Sequence, residues 1–185
     1  LPELPADKRH RYVESLGLSP YDATWLTQDP EVAGYFEQVA ESSGDAKLGA
    51  NWVMGELSAA LNRAGLGIAA SPVAPAQLAA LIARLKDDTL SSKTAKVLYE
   101  ALWAEPGDVD QIIAERGLKQ VSDSGALTAI VARVMADNPE QVAQLRAGKD
   151  KVLGFLVGQV MKATQGKANP KQVNELIRTA LDNAP

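Results

Sequence analysis

The chain is predicted to fold entirely into α-helices, and three features of its 185 residues lead to that prediction. Aromatic residues make up only 5% of the sequence, while alanine, leucine and charged residues dominate, and this composition favours helices over sheets. Apolar side chains recur at helical spacing in most segments. Proline and glycine stand mostly where helices would begin and end. We therefore expect an all-α protein made of two small helical-bundle subdomains in tandem.

Helix boundaries are marked by capping residues along the chain. Ser19 and Asp29 are each followed by proline, so each is expected to cap a helix whose first turn holds that proline. A long helix over residues 46–64 is predicted to end at Gly65, because glycine readily adopts the left-handed conformation found at helix ends. Further helices are predicted over residues 32–41, 77–86, 109–115, 125–136, 139–146, 149–165 and 169–181, and from Ser91 or Ser92 to just before Pro106.

The boundary between the two predicted subdomains lies at Pro106 and Gly107, where a helix ends and the charge balance changes. Residues 1–107 hold 9 Lys and Arg against 14 Asp and Glu, a net charge of −5, whereas residues 108–185 hold 10 against 9. Between Arg146 and Arg178 the count is 7 basic against 2 acidic residues. Such asymmetry indicates a polyanionic partner, although lysines that are simply solvated give the same pattern.

Composition excludes or disfavours several kinds of site. The sequence has no cysteine, which excludes disulfides and thiolate metal sites, and its lone histidine, His10, disfavours a Ser-His-Asp triad. We find no P-loop, nucleophile elbow or cluster of metal ligands. The apolar run from Val152 to Met161 is too short to span a bilayer, and no targeting segment is visible. We expect a cytoplasmic segment of a longer protein, since the chain begins at Leu1, and no catalytic residue, metal or cofactor within it.

The helix predicted over residues 149–165 has two faces of opposite character. On a helical wheel of about 100° per residue, Gly154 and Gly158 lie on one side, with Lys151, Lys162 and Gln165 beside them. Glycine costs about 1 kcal/mol relative to alanine inside a helix, so two on one face indicate a close approach to the backbone. A phosphate backbone or a neighbouring helix would each fit there. The opposite arc is a predicted core stripe formed by Val152, Leu153, Leu156, Val157, Val160 and Thr164.

Three other segments combine basic side chains with features of phosphate sites. The turn Gly166–Lys171 offers free backbone N–H groups at a helix N-terminus, and Asn169 is expected to cap that helix. The cluster Lys8–Tyr12 places an aromatic ring beside basic residues, as RNA-binding surfaces do, but also fits a solvated first helix turn. The segment Ser91–Lys96 is a capping sequence first and a phosphate contact second. The three tryptophans are expected to anchor the core or an interface: Trp25, Trp52 and Trp103.

Several motifs together resemble one protein family. The tail Ala147–Pro170, AGKDKVLGFLVGQVMKATQGKANP, followed by VNEL at Val173–Leu176, resembles the C-terminal end of the GatB subunit of the bacterial aspartyl/glutamyl-tRNA amidotransferase. By this resemblance, residues 1–107 form a helical connector subdomain and residues 108–185 a YqeY-like tail subdomain. Upstream motifs that agree are LPELP at the start with Arg9, Arg11 and Tyr12, LSPYDA at Leu18–Ala23, SSKTAK at Ser91–Lys96 and GLKQVSD at Gly117–Asp123.

The resemblance implies a function in translation. In this family a heterotrimer converts mischarged Glu-tRNA(Gln) or Asp-tRNA(Asn) to the correctly charged species. The GatB subunit activates the side-chain carboxylate with ATP and magnesium, and a separate subunit releases ammonia from glutamine. Both catalytic centres lie outside the part that this chain resembles, so ATP and magnesium are expected in the missing N-terminal region. The implied partners are tRNA(Gln) or tRNA(Asn), subunits A and C, and the non-discriminating aminoacyl-tRNA synthetase.

The resemblance favours a phosphate backbone over helix packing at the two glycines, and so a segment that binds and positions tRNA. The alternative is a protein-interaction connector that docks partner subunits or a synthetase with little RNA contact, which the acidic first half and the scattered tryptophans favour. No residue supports an independent enzyme. The positions implied as tRNA-binding are Lys149, Lys151, Gly154, Gly158, Lys162, Lys167 and Lys171.

Overall fold

A computed structural model describes residues 2–120 and 124–183 of the chain. This part of the chain is helical and contains no β-strand, which confirms the predicted all-α class. None of its helices is long and apolar enough to cross a bilayer. The α-helices are α1 (Pro5–Glu14), α2 (Pro20–Thr27), α3 (Pro30–Ser43), α4 (Ala46–Trp52), α5 (Ser58–Ala64), α6 (Pro75–Lys86), α7 (Ser92–Ala104), α8 (Val109–Arg116), α9 (Ser124–Asp137), α10 (Pro139–Arg146), α11 (Lys151–Ala163) and α12 (Pro170–Asn183).

Capping side chains set the helix starts as predicted. The Ser19 hydroxyl accepts a hydrogen bond from the Asp22 N–H at 3.0 Å, and a carboxylate oxygen of Asp29 accepts one from the Glu31 N–H at 2.8 Å. Each bond satisfies a backbone donor that the first helical turn would otherwise leave unpaired. Helix α5 ends at Gly65 with a φ of 65°, in the left-handed region.

The predicted helix over residues 46–64 is not regular. A π-helical segment, Val53–Leu57, separates α4 from α5. Trp52 and Leu57 are buried, with 8% and 0% exposure. Five residues of regular α-helix would place them about 140° apart around the axis, whereas the wider π turn brings both to the core. The prediction of an uninterrupted α-helix is therefore wrong at this point, because burial on the two sides of the segment requires one additional residue in the turn.

The chain forms two compact units. The first unit comprises residues 1–87 and 96–115, and the second unit comprises residues 88–95 and 116–185. Helix α7 contributes its first four residues to the second unit and the others to the first. The predicted division into independent subdomains at residue 107 stays a prediction.

The first unit has an aromatic core. All three tryptophans and all four tyrosines of the sequence belong to it. The rings of Tyr12 and Phe36 meet edge to face with centroids 5.1 Å apart, and the Tyr99 ring lies 5.7 Å from that of Trp52 and 6.3 Å from that of Trp103. Trp52 and Trp103 thus take part in the core, as predicted. The largest fully buried side chains of this unit are Tyr12, Phe36, Leu26, Leu57, Leu78, Leu81, Ile82, Leu98 and Leu102.

The second unit has an aliphatic core. Helix α11 packs against α9, α10 and α12. One long side of α11 is therefore committed to the core, and this fixes which of its residues face outward. The buried residues of this core are Leu127, Val131, Val134, Leu145, Leu153, Leu156, Val160, Ala168, Val173 and Ile177.

Candidate nucleic-acid interface

The core side of α11 is formed by the stripe that the sequence predicts. Leu153, Leu156 and Val160 are buried in the core of the second unit, and Val152 and Val157 are half-buried. Thr164 is buried at the end of the stripe, where its hydroxyl donates to the Val160 carbonyl at 3.0 Å. This packing holds the helix in one rotational setting, so the opposite side is presented outward.

The outward side of α11 is open. We call it the glycine face and define it by Lys151, Gly154, Phe155, Gly158 and Lys162, all of which are exposed. A Cβ atom added to either glycine would have no neighbouring atom within 4 Å. Within residues 2–120 and 124–183, no other segment covers the two glycines. The alternative in which another helix of this chain packs there is therefore wrong for the described residues.

The lysines predicted to bind tRNA are available for a partner. Lys149, Lys151, Lys162 and Lys171 are exposed, and Lys167 is half-buried. None of them forms an ion pair within the part of the chain that the structure describes, where the ion pairs all belong to the first unit. The second unit holds 11 Lys and Arg against 7 Asp and Glu, a net charge of +4, whereas the first holds 8 against 16, a net charge of −8. A polyanion would be attracted to the second unit.

Three of the sequence motifs meet at the turn that follows α11. The Gln120 side chain is 5% exposed, and in the amide orientation that satisfies its neighbours, its oxygen accepts from the Asn169 N–H at 2.8 Å. Its nitrogen then donates to two carbonyls of the segment 88–90, each at 3.2 Å. The Ser91 hydroxyl donates to the Gly166 carbonyl at 3.3 Å. These buried bonds fix the turn and the motifs at residues 91–96 and 117–120 as one structure.

Two glycines at this turn let lysine side chains lie against the backbone. Gly166, with a φ of 75°, is so close to Lys93 that an added Cβ would lie 3.0 Å from the Lys93 Cδ and 3.2 Å from its Nζ. Gly117, with a φ of 59°, would place a Cβ 3.5 Å from the Lys167 Nζ. Lys93 was not among the predicted tRNA-binding lysines. The SSKTAK motif signalled it, but only the fold brings it beside the turn that holds Lys167.

The N-terminus of α12 is not an open anion site. The Asn169 side-chain oxygen accepts from the N–H groups of Lys171 at 3.0 Å and Gln172 at 3.3 Å, and its carbonyl accepts from the Val173 N–H at 2.9 Å. Pro170 has no N–H to offer. The predicted capping role of Asn169 is confirmed, and for that reason the prediction of free backbone donors in this turn is wrong. A phosphate here would have to be bound by lysine side chains.

The cluster Lys8–Tyr12 is not an RNA-stacking site. Tyr12 is fully buried and its hydroxyl donates to a Glu37 carboxylate oxygen at 2.9 Å. The Arg11 guanidinium pairs with Glu3 and with Glu37, each at 2.7 Å. Burial, followed by the hydrogen bond to Glu37, raises the pKa of Tyr12. The ring is thus unavailable to a base and the neighbouring charge is neutralised.

The segment Ser91–Lys96 has the capping role that its sequence predicts. The Ser91 hydroxyl accepts from the Thr94 N–H at 3.1 Å, and the Thr94 hydroxyl oxygen accepts from the Ser91 N–H at 2.9 Å. These reciprocal bonds start α7.

Phe155 is the member of the glycine face that sequence reasoning missed. Its side chain is 44% exposed. On the helical wheel it lies about 40° from Lys151 and about 20° from Lys162, which was a readable signal. It was overlooked because it stands within an apolar run and apolar residues were assigned to the core.

The described residues do not fit a metal site. Within residues 2–120 and 124–183, no three His, Asp or Glu side chains come together in an arrangement that could hold a metal ion. The magnesium that ATP chemistry requires therefore has no matching ligands in this part of the chain, and we derive no catalytic step from it.

Comparison with known proteins gives a consistent result. The chain is 55% identical over 184 residues to the GatB subunit of the aspartyl/glutamyl-tRNA(Asn/Gln) amidotransferase of Alkalilimnicola ehrlichii, a match that covers 99% of this chain and 38% of the relative. It is 58% identical over 181 residues to the corresponding subunit of Thiobacillus denitrificans, covering 98% and 38%. The chain thus spans about 38% of the length of these curated relatives. The model of the GatB domain family (GatB_Yqey) matches residues 34–181, and the chain belongs to that family.

Proposed function

We propose that this chain is the tRNA-binding part of the GatB subunit of an aspartyl/glutamyl-tRNA(Asn/Gln) amidotransferase, and that it positions tRNA without a catalytic residue of its own. The observation that carries the proposal is the glycine face of α11. It is uncovered, it lacks side chains at Gly154 and Gly158, and its two lysines have no acidic partner among the described residues.

The spacing of the two lysines suits a phosphate backbone that runs along the helix. Lys151 and Lys162 are separated by about 16 Å along the helix axis and by only about 20° around it. Between them lie the two glycines, where a ribose-phosphate chain can approach the helix without meeting a side chain. Recognition of this kind reads backbone and shape and uses few base contacts.

The turn after α11 extends the same surface. Lys167 and Lys171 follow Lys162 in the chain, and Lys93 is held beside the turn by its contact with Gly166. Lys149 lies beyond the other end of α11. These side chains give phosphates further contacts on the same unit.

The proposal includes the activity of the whole enzyme. In that enzyme, mischarged Glu-tRNA(Gln) or Asp-tRNA(Asn) would be amidated in an ATP-dependent carbon–nitrogen ligase reaction with glutamine as amido donor. ATP and magnesium would be bound by the part of the GatB subunit that this chain does not include. The partners would be tRNA(Gln) or tRNA(Asn), subunits A and C, and the non-discriminating aminoacyl-tRNA synthetase, all in the cytoplasm. The relatives' names and the family motifs support this assignment.

The test is a titration of the 185-residue chain with tRNA over a range of salt concentrations. If about five lysines each neutralise one phosphate, log K should fall with log salt at a slope of about −3.5 to −4.5. The double variant Lys151→Ala, Lys162→Ala should flatten the slope by about 1.4 to 1.8. The control is Arg9→Ala with Lys47→Ala, two exposed basic residues of the first unit, which should leave it unchanged. Absent or salt-insensitive binding of the unmodified chain would refute the proposal.

A second candidate function is docking of partner proteins with little RNA contact. The net charge of −8 on the first unit favours it, because this surface would repel RNA and attract a basic protein partner. The same chain should then bind subunits A and C while showing no salt-dependent binding to tRNA.

A further inference from the structure

We infer that Phe155 stacks on one unpaired base of the bound RNA, while Lys151 and Lys162 contact backbone phosphates on either side of that base. This inference rests on the proposed function. It adds a contact with a base to a surface that otherwise reads only the phosphate backbone.

The position of Phe155 is unusual for the unit that contains it. It is the only aromatic residue of the second unit, because the other eight of the sequence belong to the first. The core of the second unit consists of Leu, Val, Ile and Ala side chains. Its one aromatic ring is instead 44% exposed, on the face of α11 that points away from this core.

The surroundings of Phe155 leave room for a planar ligand. Gly154 precedes it and Gly158 lies one turn further along the same face. A Cβ atom at either glycine would have nothing within 4 Å. A flat group placed against the ring would therefore extend over helix backbone rather than over side chains.

Charge complementarity favours RNA over a protein as the occupant. Lys151 and Lys162 lie on the same face one turn before and two turns after Phe155, and both are exposed. An apolar protein segment laid on the ring would remove their hydration and offer no compensating charge. Nucleic acid supplies both an aromatic face and anionic groups. The base must be unpaired, because a duplex hides the faces of its bases in the stack.

The test compares Phe155→Leu with the unmodified 185-residue chain, using a tRNA transcript and a fully paired RNA duplex as probes. Loss of one stacked base should weaken tRNA binding about 5- to 100-fold. The salt slope and the affinity for the duplex should not change, because the phosphate contacts remain. Phe155→Tyr, which keeps the ring, should bind tRNA within about threefold of the unmodified chain. The control Tyr21→Leu removes an aromatic ring that is 71% exposed on the first unit and should have no effect.

The possible outcomes separate this inference from the proposed function. If Phe155→Leu binds tRNA as tightly as the unmodified chain, stacking is refuted while tRNA binding stands. If the variant weakens tRNA and duplex binding alike, the side chain has a structural role and the inference is again refuted. If the unmodified chain does not bind tRNA at all, the proposed function itself fails. A selective loss with Phe155→Leu that Phe155→Tyr restores supports the inference.

Discussion

The two units of the chain use their charged and aromatic residues in opposite ways. In the first unit, aromatic rings fill the core and basic side chains are paired with carboxylates. Arg84, for example, contacts Asp87 and Asp110 at 2.7 Å each, and its hydrogen bond lowers the pKa of Asp110. In the second unit the core is aliphatic, the one phenylalanine is exposed, and no ion pair occurs among the described residues.

This difference shows which unit has interactions left for a partner. Arg11 and Arg84 satisfy carboxylates of their own unit, so their charge contributes little to a distant ligand. The lysines of the glycine face have no such partner, and their field extends into solvent. Net charge alone would have missed this, because the chain as a whole carries −4.

The largest expected effect separates the units by alkaline pH. Tyr12, Tyr35 and Tyr99 all belong to the first unit, and burial is the main cause of their raised pKa values. Their contribution to stability is complete below the unfolded-state pKa of about 10 and falls as the pH rises above it, because the unfolded chain then loses protons that the folded unit keeps. At pH 11 the three together should cost the first unit about 4 kcal/mol.

Tryptophan fluorescence during thermal unfolding at pH 8 and pH 11 measures this effect, since all three tryptophans lie in the first unit. Tyr99→Phe should reduce the alkaline loss by about 1.4 kcal/mol, the share of one tyrosine at that pH. Its hydroxyl is buried and has no hydrogen-bond partner among the described residues, so removing it should not weaken the unit at pH 8. An unchanged fluorescence transition at the two pH values would contradict the prediction.

The next largest effect concerns the core that orients α11. Leu156 is fully buried, and Leu156→Ala should destabilise the second unit by about 2–5 kcal/mol through lost burial and the cavity left behind. Circular dichroism at 222 nm should report earlier melting of part of the helical signal. The matched truncation Phe155→Ala, one residue away on the exposed face, should change the melting temperature little. Equal losses for the two variants would show that α11 is not seated as described.

The smallest expected effect on stability tests the glycine face directly. Gly158→Ala should stabilise α11 by up to about 1 kcal/mol, because the added methyl meets open space, while weakening tRNA binding. Gly34→Ala in α3 of the first unit is the control, since an added Cβ there also has nothing within 4 Å, and it should leave tRNA affinity unchanged. Melting and tRNA titration on the same samples check both expectations. A lower melting temperature for Gly158→Ala would instead indicate overpacking against a covering segment.

Local chemistry made much of this fold predictable from the sequence. The caps at Ser19, Asp29 and Asn169 are hydrogen bonds within three residues, so sequence alone discloses them. The two sides of α11 were likewise predictable, because side-chain direction follows helical periodicity. The openness of Gly154 and Gly158 was not, since it depends on which elements pack nearby.

Features that depend on distant segments escaped the sequence. The contact of Lys93 with Gly166 joins residues far apart in the chain and follows from buried bonds through Gln120. The exposure of Phe155 was missed for a related reason, because an apolar residue in a helix signals burial until the packing of its neighbours is known.

The π-helical segment Val53–Leu57 makes one helix of the first unit tolerant of a change in chain length. Deleting Gly55, which is exposed and has open space around it, would leave a regular α-turn and keep Leu57 and Leu61 directed at the core. A single deletion within α3 would instead rotate every later side chain of that helix by about 100°. Homologous sequences one residue shorter at this place could therefore share the same core.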